Sequence, residues 1–106
     1  MNDKNALATR YTFTFEDGDT CEMTLAFIRL KRLSSKNRGL YDSYNKIMVN
    51  GPKEELEMLT VLYAAYVCAN LDSDNLLTED EFIEKCGSDR VALREAIERL
   101  INPKKR

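Results

Sequence analysis

The chain has 106 residues and a mass of 12.2 kDa, which is enough for one hydrophobic core and too little for two, so we expect a single domain over 1–106. Hydrophobic residues make up 43% of the sequence and charged residues 32%, a composition that excludes a disordered chain. The net charge of -2 gives no overall positive field to recruit nucleic acid or a membrane, and the absence of histidine excludes a Ser-His or Cys-His nucleophile.

The cysteines and the N-terminal residues indicate the compartment of the cell in which the protein is found. Cys21, Cys68 and Cys86 are odd in number and have no metal-site spacing, which argues against a disulfide framework and against zinc. We therefore expect free thiols and a reducing cytoplasm. Residues 1–9 are small and polar, with no apolar run of signal-peptide length, and we predict that they are disordered.

Residues 10–25 predict an antiparallel hairpin. Aromatic residues and threonines alternate in the segment YTFTF, an Asp-Gly pair supplies a turn, and apolar and polar residues alternate again after it. A two-residue loop would pair Phe15 with Thr20, whereas a three-residue loop at 17–19 pairs Phe15 with Cys21 and keeps the apolar residues on one face. We predict the three-residue loop, and because two strands alone are marginally stable, we expect the hairpin to pack on helices.

Helices are predicted over most of residues 26–102. The first begins near Thr24, a possible cap, and a break at 34–37 separates it from the second. Asn50-Gly51-Pro52 ends the second helix, because glycine suits the residue after a helix and proline suits the first turn of the next. The two predicted apolar stripes are Ala26, Phe27, Leu30 and Leu33, and then Leu40, Tyr41, Tyr44, Ile47 and Met48.

The run from Glu54 to Asn70 is the most apolar part of the chain, and from Leu56 onward Thr60 is almost its only polar interruption. A helix that is apolar on nearly every side must be surrounded by other elements. A membrane span needs about 20 apolar residues without charge, and the acidic residues at both ends leave this run too short. We therefore predict an α+β fold, in which an N-terminal antiparallel β-hairpin packs on a bundle of four to five helices around this buried central helix.

Two further helices are predicted after the central one. Thr78 and Glu81 form a capping box, which indicates a short helix that Gly87 ends. Ser88 is expected to cap the last helix, and residues 103–106 form a basic tail. The predicted buried stripe of the last helix consists of Val91, Leu93, Ala96, Ile97, Leu100 and Ile101.

Residues 70–81 can be laid on a twelve-residue calcium loop, with oxygen-bearing side chains at positions 1, 3 and 5 and Glu81 at position 12. Asn70 replaces the usual aspartate at position 1, and Asn75 replaces the glycine of the sharp turn. A polar turn followed by a capping box explains the same residues. We therefore predict no metal, no cofactor and no catalytic residues, and keep an EF-hand-like calcium-binding module as an alternative function.

Residues 29–38 carry five basic side chains with no acid between them, which makes a nucleic-acid-binding domain the second alternative. No aromatic residue is interleaved with these charges, so we favour a solvated helix face. Acidic residues at the start of a helix complement its dipole more often than they form a catalytic pair, and we predict no enzymatic activity. The basic residues are Arg29, Lys31, Arg32, Lys36 and Arg38.

The order of these segments resembles a known family. A hairpin YTFTFEDGDTCEMTL, a strongly apolar helix, an acidic EDEFIEKC helix and an end INPKKR are similar to the small tail assembly chaperones of long-tailed bacteriophages, Firmicutes prophage members in particular. The resemblance implies a non-enzymatic protein of the bacterial host cytoplasm that binds the tape measure protein, shields its apolar helices and hands it to the tail tube protein. It also implies a frameshifted longer product, for which codons of Lys104-Lys105 are a candidate slippery run.

Holding amphipathic helices requires an apolar groove. We expect Met48, Met58, Tyr63 or the hairpin face to form it, because methionine adapts to varied partners. We expect no membrane partner, and the sequence leaves self-association into a homo-oligomer open.

Overall fold

The computed structural model describes residues 10–102, within which two strands are followed by five helices. The strands are β1 (Arg10–Thr14) and β2 (Thr20–Thr24), and the helices are α1 (Phe27–Lys36), α2 (Arg38–Asn50), α3 (Glu55–Ala69), α4 (Glu79–Cys86) and α5 (Arg90–Ile101). The predicted α+β fold with an N-terminal hairpin is confirmed. The predictions for 1–9 and 103–106 lie outside the described residues. Between residues 10 and 102, every helix is too short or too polar to cross a bilayer.

The hairpin has the expected odd loop, but its register differs from the prediction. Phe13, not Phe15, lies opposite Cys21, because the loop is 16–18 and begins one residue earlier than predicted. Gly18 explains the difference: its φ of 94° is left-handed, and this conformation belongs at the last position of a three-residue hairpin loop. The pairing therefore shifts by two residues, which leaves every side chain on its predicted face.

Helices α1 and α2 meet at Asn37, as predicted. The Oδ1 atom of Asn37 accepts a hydrogen bond from the backbone N–H of Leu40 at 3.1 Å and so caps α2. The possible cap at Thr24 was wrong, because Ala26 is the residue that precedes α1. Thr24 Oγ1 instead accepts the N–H of Ala26 at 3.1 Å, in the bend between β2 and α1.

The buried stripe of α1 is narrower than predicted. Leu30 and Leu33 are buried, whereas Phe27 is 90% exposed. Successive helical residues are about 100° apart, so Phe27 is rotated by about that angle from Ala26 and from the stripe that Ala26 begins. The prediction that Phe27 belongs to the core was therefore wrong.

Helix α3 is the centre of the fold, and it is one residue shorter at each end than the predicted run from Glu54 to Asn70. Its second half is enclosed because β2 and all four other described helices contact α3. Leu56 in the first turn is 67% exposed, so the predicted burial on every side holds for the second half alone. The buried residues of α3 are Val61, Leu62, Ala64, Ala65, Tyr66, Val67 and Cys68.

The predicted capping box at the start of α4 is confirmed. The N–H of Glu81 donates to Thr78 Oγ1 at 3.2 Å, and the N–H of Thr78 donates to Glu81 Oε1 at 2.9 Å. Two backbone donors that the helix itself cannot satisfy are therefore paired. This box fixes the direction in which α4 leaves the preceding turn.

Replacing Thr78 with alanine is expected to lower the free energy of unfolding by about 0.5–2 kcal/mol, because the Glu81 N–H loses its acceptor. Urea denaturation followed by circular dichroism measures this loss. Thr78→Ser keeps the acceptor oxygen and serves as the control. An equal loss in both variants would show that the threonine methyl group, and not the cap, is responsible.

Helix α5 begins one residue later than predicted. Asp89 Oδ1 accepts the N–H of Ala92 at 3.0 Å and caps the helix, so the expected Ser88 cap was wrong. Ser88 is held elsewhere, since its N–H donates to Glu16 Oε2 at 3.1 Å. Gly87 ends α4 as predicted, with a left-handed φ of 73°.

The predicted buried stripe of α5 is confirmed in part, since Ile97 and Ile101 are only half-buried. Leu93, Ala96 and Leu100 are buried, whereas Val91 is 77% exposed. Nine residues separate Val91 from Leu100, which is about two and a half turns and places them on opposite sides of the helix.

Candidate functional site

The three thiols are buried or half-buried and lie in the core. Burial raises the pKa of Cys68 and of Cys21 to about 12 and the pKa of Cys86 to about 11. A nucleophilic cysteine needs the opposite shift, since the thiolate is the reactive form. At neutral pH these side chains act as small apolar groups.

The raised thiol pKa values predict a loss of stability in alkali. In the unfolded chain a thiol titrates at its ordinary pKa of 9.0, so between pH 9.0 and about 11 the folded state binds more protons. The free energy of unfolding therefore falls as pH rises through this window. Urea denaturation at about pH 8 and about pH 10.5 measures the fall, and Cys68→Ala should make it shallower. A free energy that is constant or rises would contradict the burial of these thiols.

The loop at residues 70–81 uses its polar groups for folding. The carboxylate of Glu81 belongs to the capping box, and Asp72 lies 3.8 Å from Lys36 Nζ. The amide Nδ2 of Asn70 donates to Tyr66 O at 2.7 Å. Among residues 10–102, acidic and cysteine side chains form no group of three that could hold a metal ion. The geometry therefore gives the calcium alternative no support.

The most distinctive surface is the outer side of α1. We call it the basic face and define it by Phe27, Ile28, Arg29, Lys31 and Arg32. Its two apolar members are adjacent and exposed, Phe27 by 90% and Ile28 by 49%. Together they form a small apolar patch on the surface, and exposed apolar patches mark interaction sites when they are large.

A groove of about 420 Å³ runs beside the basic face, between α1 and the residues that follow α3. Its apolar wall includes Ile28 and Leu71, and its polar wall includes Ser35, Lys36 and Asp72. Lys36 Nζ donates to Leu71 O at 3.1 Å and so ties the end of α1 to this wall. The groove is therefore built by two segments far apart in sequence.

The cations of segment 29–38 divide into paired and unpaired groups. Lys36 lies near Asp72, and Arg38 Nε is 3.1 Å from an oxygen of Asp42. Arg29, Lys31 and Arg32 form no ion pair with any residue between 10 and 102. Three positive charges of the basic face are therefore unpaired within the described residues.

A second groove, of about 440 Å³, follows the free edge of β1 and is closed on its other side by α5. The N–H of Phe15 points towards β2 and donates to Asp19 O at 2.8 Å. Because backbone groups alternate along a strand, those of Thr12 and Thr14 point away from β2 into this groove. Glu95 on the α5 side is 3.4 Å from Arg99, so part of the charge here is already paired.

The groove residues expected from the sequence are mostly part of the core. Phe13 and Phe15 of the hairpin are buried, and Met48 and Met58 are half-buried against the core. Tyr63 donates its hydroxyl to Leu77 O at 2.8 Å. Met48, Met58 and Tyr63 line neither of the two grooves, whereas Phe13 and Phe15 of the hairpin line the second one. The expectation that these residues bind a partner stays a prediction.

Sequence reasoning missed the basic face because Phe27 was assigned to the core stripe. The signal was weak, since at about 100° per residue Phe27 lies about 100° from Ala26 and about 120° from Leu33 but only about 60° from Leu30. With Phe27 on the surface, an aromatic ring lies beside the basic segment, although no aromatic residue is interleaved with the charges at 29–38. No protein-family model matches the chain, and neither a curated protein nor a solved structure matches it.

Proposed function

We propose that the protein is a non-enzymatic tail assembly chaperone of a long-tailed bacteriophage. It binds the tape measure protein in the host cytoplasm, shields its apolar helices and hands it to the tail tube protein. The order and content of the sequence segments support this proposal through their resemblance to that family. The surface of the described residues adds an independent physical argument.

The observation that carries the proposal is the exposure of Phe27 and Ile28 side by side at the start of α1. The side chains beneath them, Leu30 and Leu33, are buried, so the helix is docked on its other side and the exposed pair is not needed for the fold. Burying a side chain of the size of Phe27 contributes about 1.5–3 kcal/mol. A partner helix with an apolar stripe offers that burial.

The non-enzymatic part of the proposal is supported by the chemistry of the side chains. The chain has no histidine, and its thiols are protonated at neutral pH. The acidic residues at the start of α4 complement the helix dipole. The thiols and these acidic residues therefore have structural roles.

Co-expression with the tape measure protein encoded by the same phage tests the proposal. We expect the two proteins to purify together and the tape measure protein to stay soluble only with its partner. Phe27→Ser should weaken this co-purification. Val91→Ser is the matched control, because Val91 is also an exposed apolar residue in the first turn of a helix. If the unaltered chain neither retains the tape measure protein nor keeps it soluble, the proposal is wrong.

A further inference from the structure

The positive charge of the basic face is local. Segment 29–38 contributes +5 to a net charge of -2, so the remainder of the chain carries -7. A partner with widespread negative charge, such as a nucleic acid, is attracted by one face and repelled by the rest. A partner with a short acidic segment can contact the basic face without bringing its negative charge near the acidic remainder of the chain.

The groove beside the basic face sets the size and shape of the occupant. It follows α1 from Ile28 to Lys36, a distance of about 12 Å at 1.5 Å per residue, and therefore holds about two turns of a partner helix. Its exposed apolar contact is Ile28, because Leu71 is 8% exposed and belongs to the core. Phe27 precedes Ile28 in the chain and is 90% exposed. The unpaired cations Lys31 and Arg32 lie on the same side.

We propose that the basic face binds an acidic amphipathic helix of the partner protein. Its apolar stripe packs on the exposed Phe27 and Ile28, and its carboxylates pair with Lys31 and Arg32. Apolar anchors give such a helix its affinity, and the charge pairs give orientation and a fast encounter. This inference rests on the proposed function and names the kind of segment that the tape measure protein presents.

Other occupants fit less well. One exposed aromatic ring, Phe27, does not form the row of stacking platforms typical of single-stranded nucleic-acid binding. An amphipathic helix that lies on a membrane inserts its apolar stripe, whereas Leu30 and Leu33 of α1 are buried in the core.

Fluorescence anisotropy with a labelled peptide tests the inference on the full chain. The probe is a designed amphipathic helix of about 18 residues with leucine on one face and glutamate on the other. A matched peptide with lysine in place of glutamate is the control. We expect the glutamate peptide to bind and the lysine peptide not to bind, and the affinity to fall about tenfold when salt rises from about 50 to about 300 mM.

Variants of the chain identify the surface. The double variant Lys31→Glu and Arg32→Glu should weaken binding by about tenfold or more. Lys46→Glu changes an exposed lysine on α2 that forms no ion pair within residues 10–102, and should leave binding unchanged. Circular dichroism checks that both proteins remain folded.

Several results would overturn the inference. They are equal binding of both peptides, no binding of either, or a loss with Lys46→Glu that matches the double variant. Binding of single-stranded DNA or anionic vesicles through Lys31 and Arg32 in place of the peptide would assign the face to another partner, and salt-dependent dimers of the chain would assign it to a second copy. If the tape measure protein still purifies with the chain in that case, the proposed function stands and only the assignment of the face falls.

Discussion

Replacing Phe82 with alanine is expected to lower the free energy of unfolding by about 3–5 kcal/mol. Phe82 is fully buried, and its ring stacks on Tyr66 with centroids 5.2 Å apart. It also contacts Tyr63 at 5.5 Å and Phe15 at 5.7 Å. One side chain of α4 thus joins α3 to the hairpin, and alanine leaves a cavity where these elements meet. Small domains are stable by about 5–15 kcal/mol, so the variant loses a large share of that stability.

Urea denaturation followed by circular dichroism measures the effect of Phe82→Ala. Val91→Ala is the control, because a side chain that is 77% exposed should change the free energy by less than about 0.5 kcal/mol. A loss below about 1 kcal/mol for Phe82→Ala would contradict the packing described for α4.

Replacing Leu33 with alanine is the second large effect, with an expected loss of about 2–5 kcal/mol. Leu33 is fully buried and packs α1 onto the core. It lies on the inner side of the helix, away from the basic face. Phe27→Ala on the same helix should cost less than about 0.5 kcal/mol, because Phe27 is 90% exposed. The two variants therefore distinguish the contribution of α1 to stability from its contribution to binding the partner.

The same denaturation experiment, combined with co-purification of the tape measure protein, checks this separation. Phe27→Ala should lose the partner and keep its stability. Leu33→Ala should lose stability in the free protein, and saturating partner should restore part of it, because binding to the folded state alone stabilises that state. Equal destabilisation by both variants would show that Phe27 packs against the fold and is not left for a partner.

The order and type of the elements were predictable from the sequence because they follow from local patterns. The alternation in YTFTF predicts a strand, and apolar spacing and the capping box at Thr78 predict helices. The central position of α3 follows from its composition, since a helix that is apolar on most sides must be covered. These signals need no knowledge of distant residues.

The hairpin register and the start of α5 were predicted incorrectly, because they depend on a single backbone angle or on a contact between residues far apart in sequence. The register of the hairpin follows from the left-handed φ of Gly18. The start of α5 depends on Glu16, whose carboxylate accepts the N–H of Ser88 from 72 positions away in the chain. Lys85 similarly holds the hairpin loop through Asp17 at 2.6 Å, and this hydrogen bond raises the pKa of Lys85. Local sequence carries no signal for such pairs.

The candidate site was predictable in its charge and not in its shape. The five basic residues between 29 and 38 are visible in the sequence, but the groove also needs Leu71, which α3 brings beside α1. The exposed position of Phe27 depends on where the first turn of α1 begins. The sequence therefore indicated a solvated basic segment, whereas the fold adds an apolar groove beside it.

Hydrogen exchange of the chain with and without the tape measure protein tests the central claim most directly. We expect the partner to slow the exchange of backbone amides in α1, over residues 27–36, and at 71–72 on the opposite groove wall. Exchange along β1, beside the second groove, should stay the same. Protection confined to β1 and α5, or no protection anywhere, would contradict the account of α1 as the surface that binds the partner.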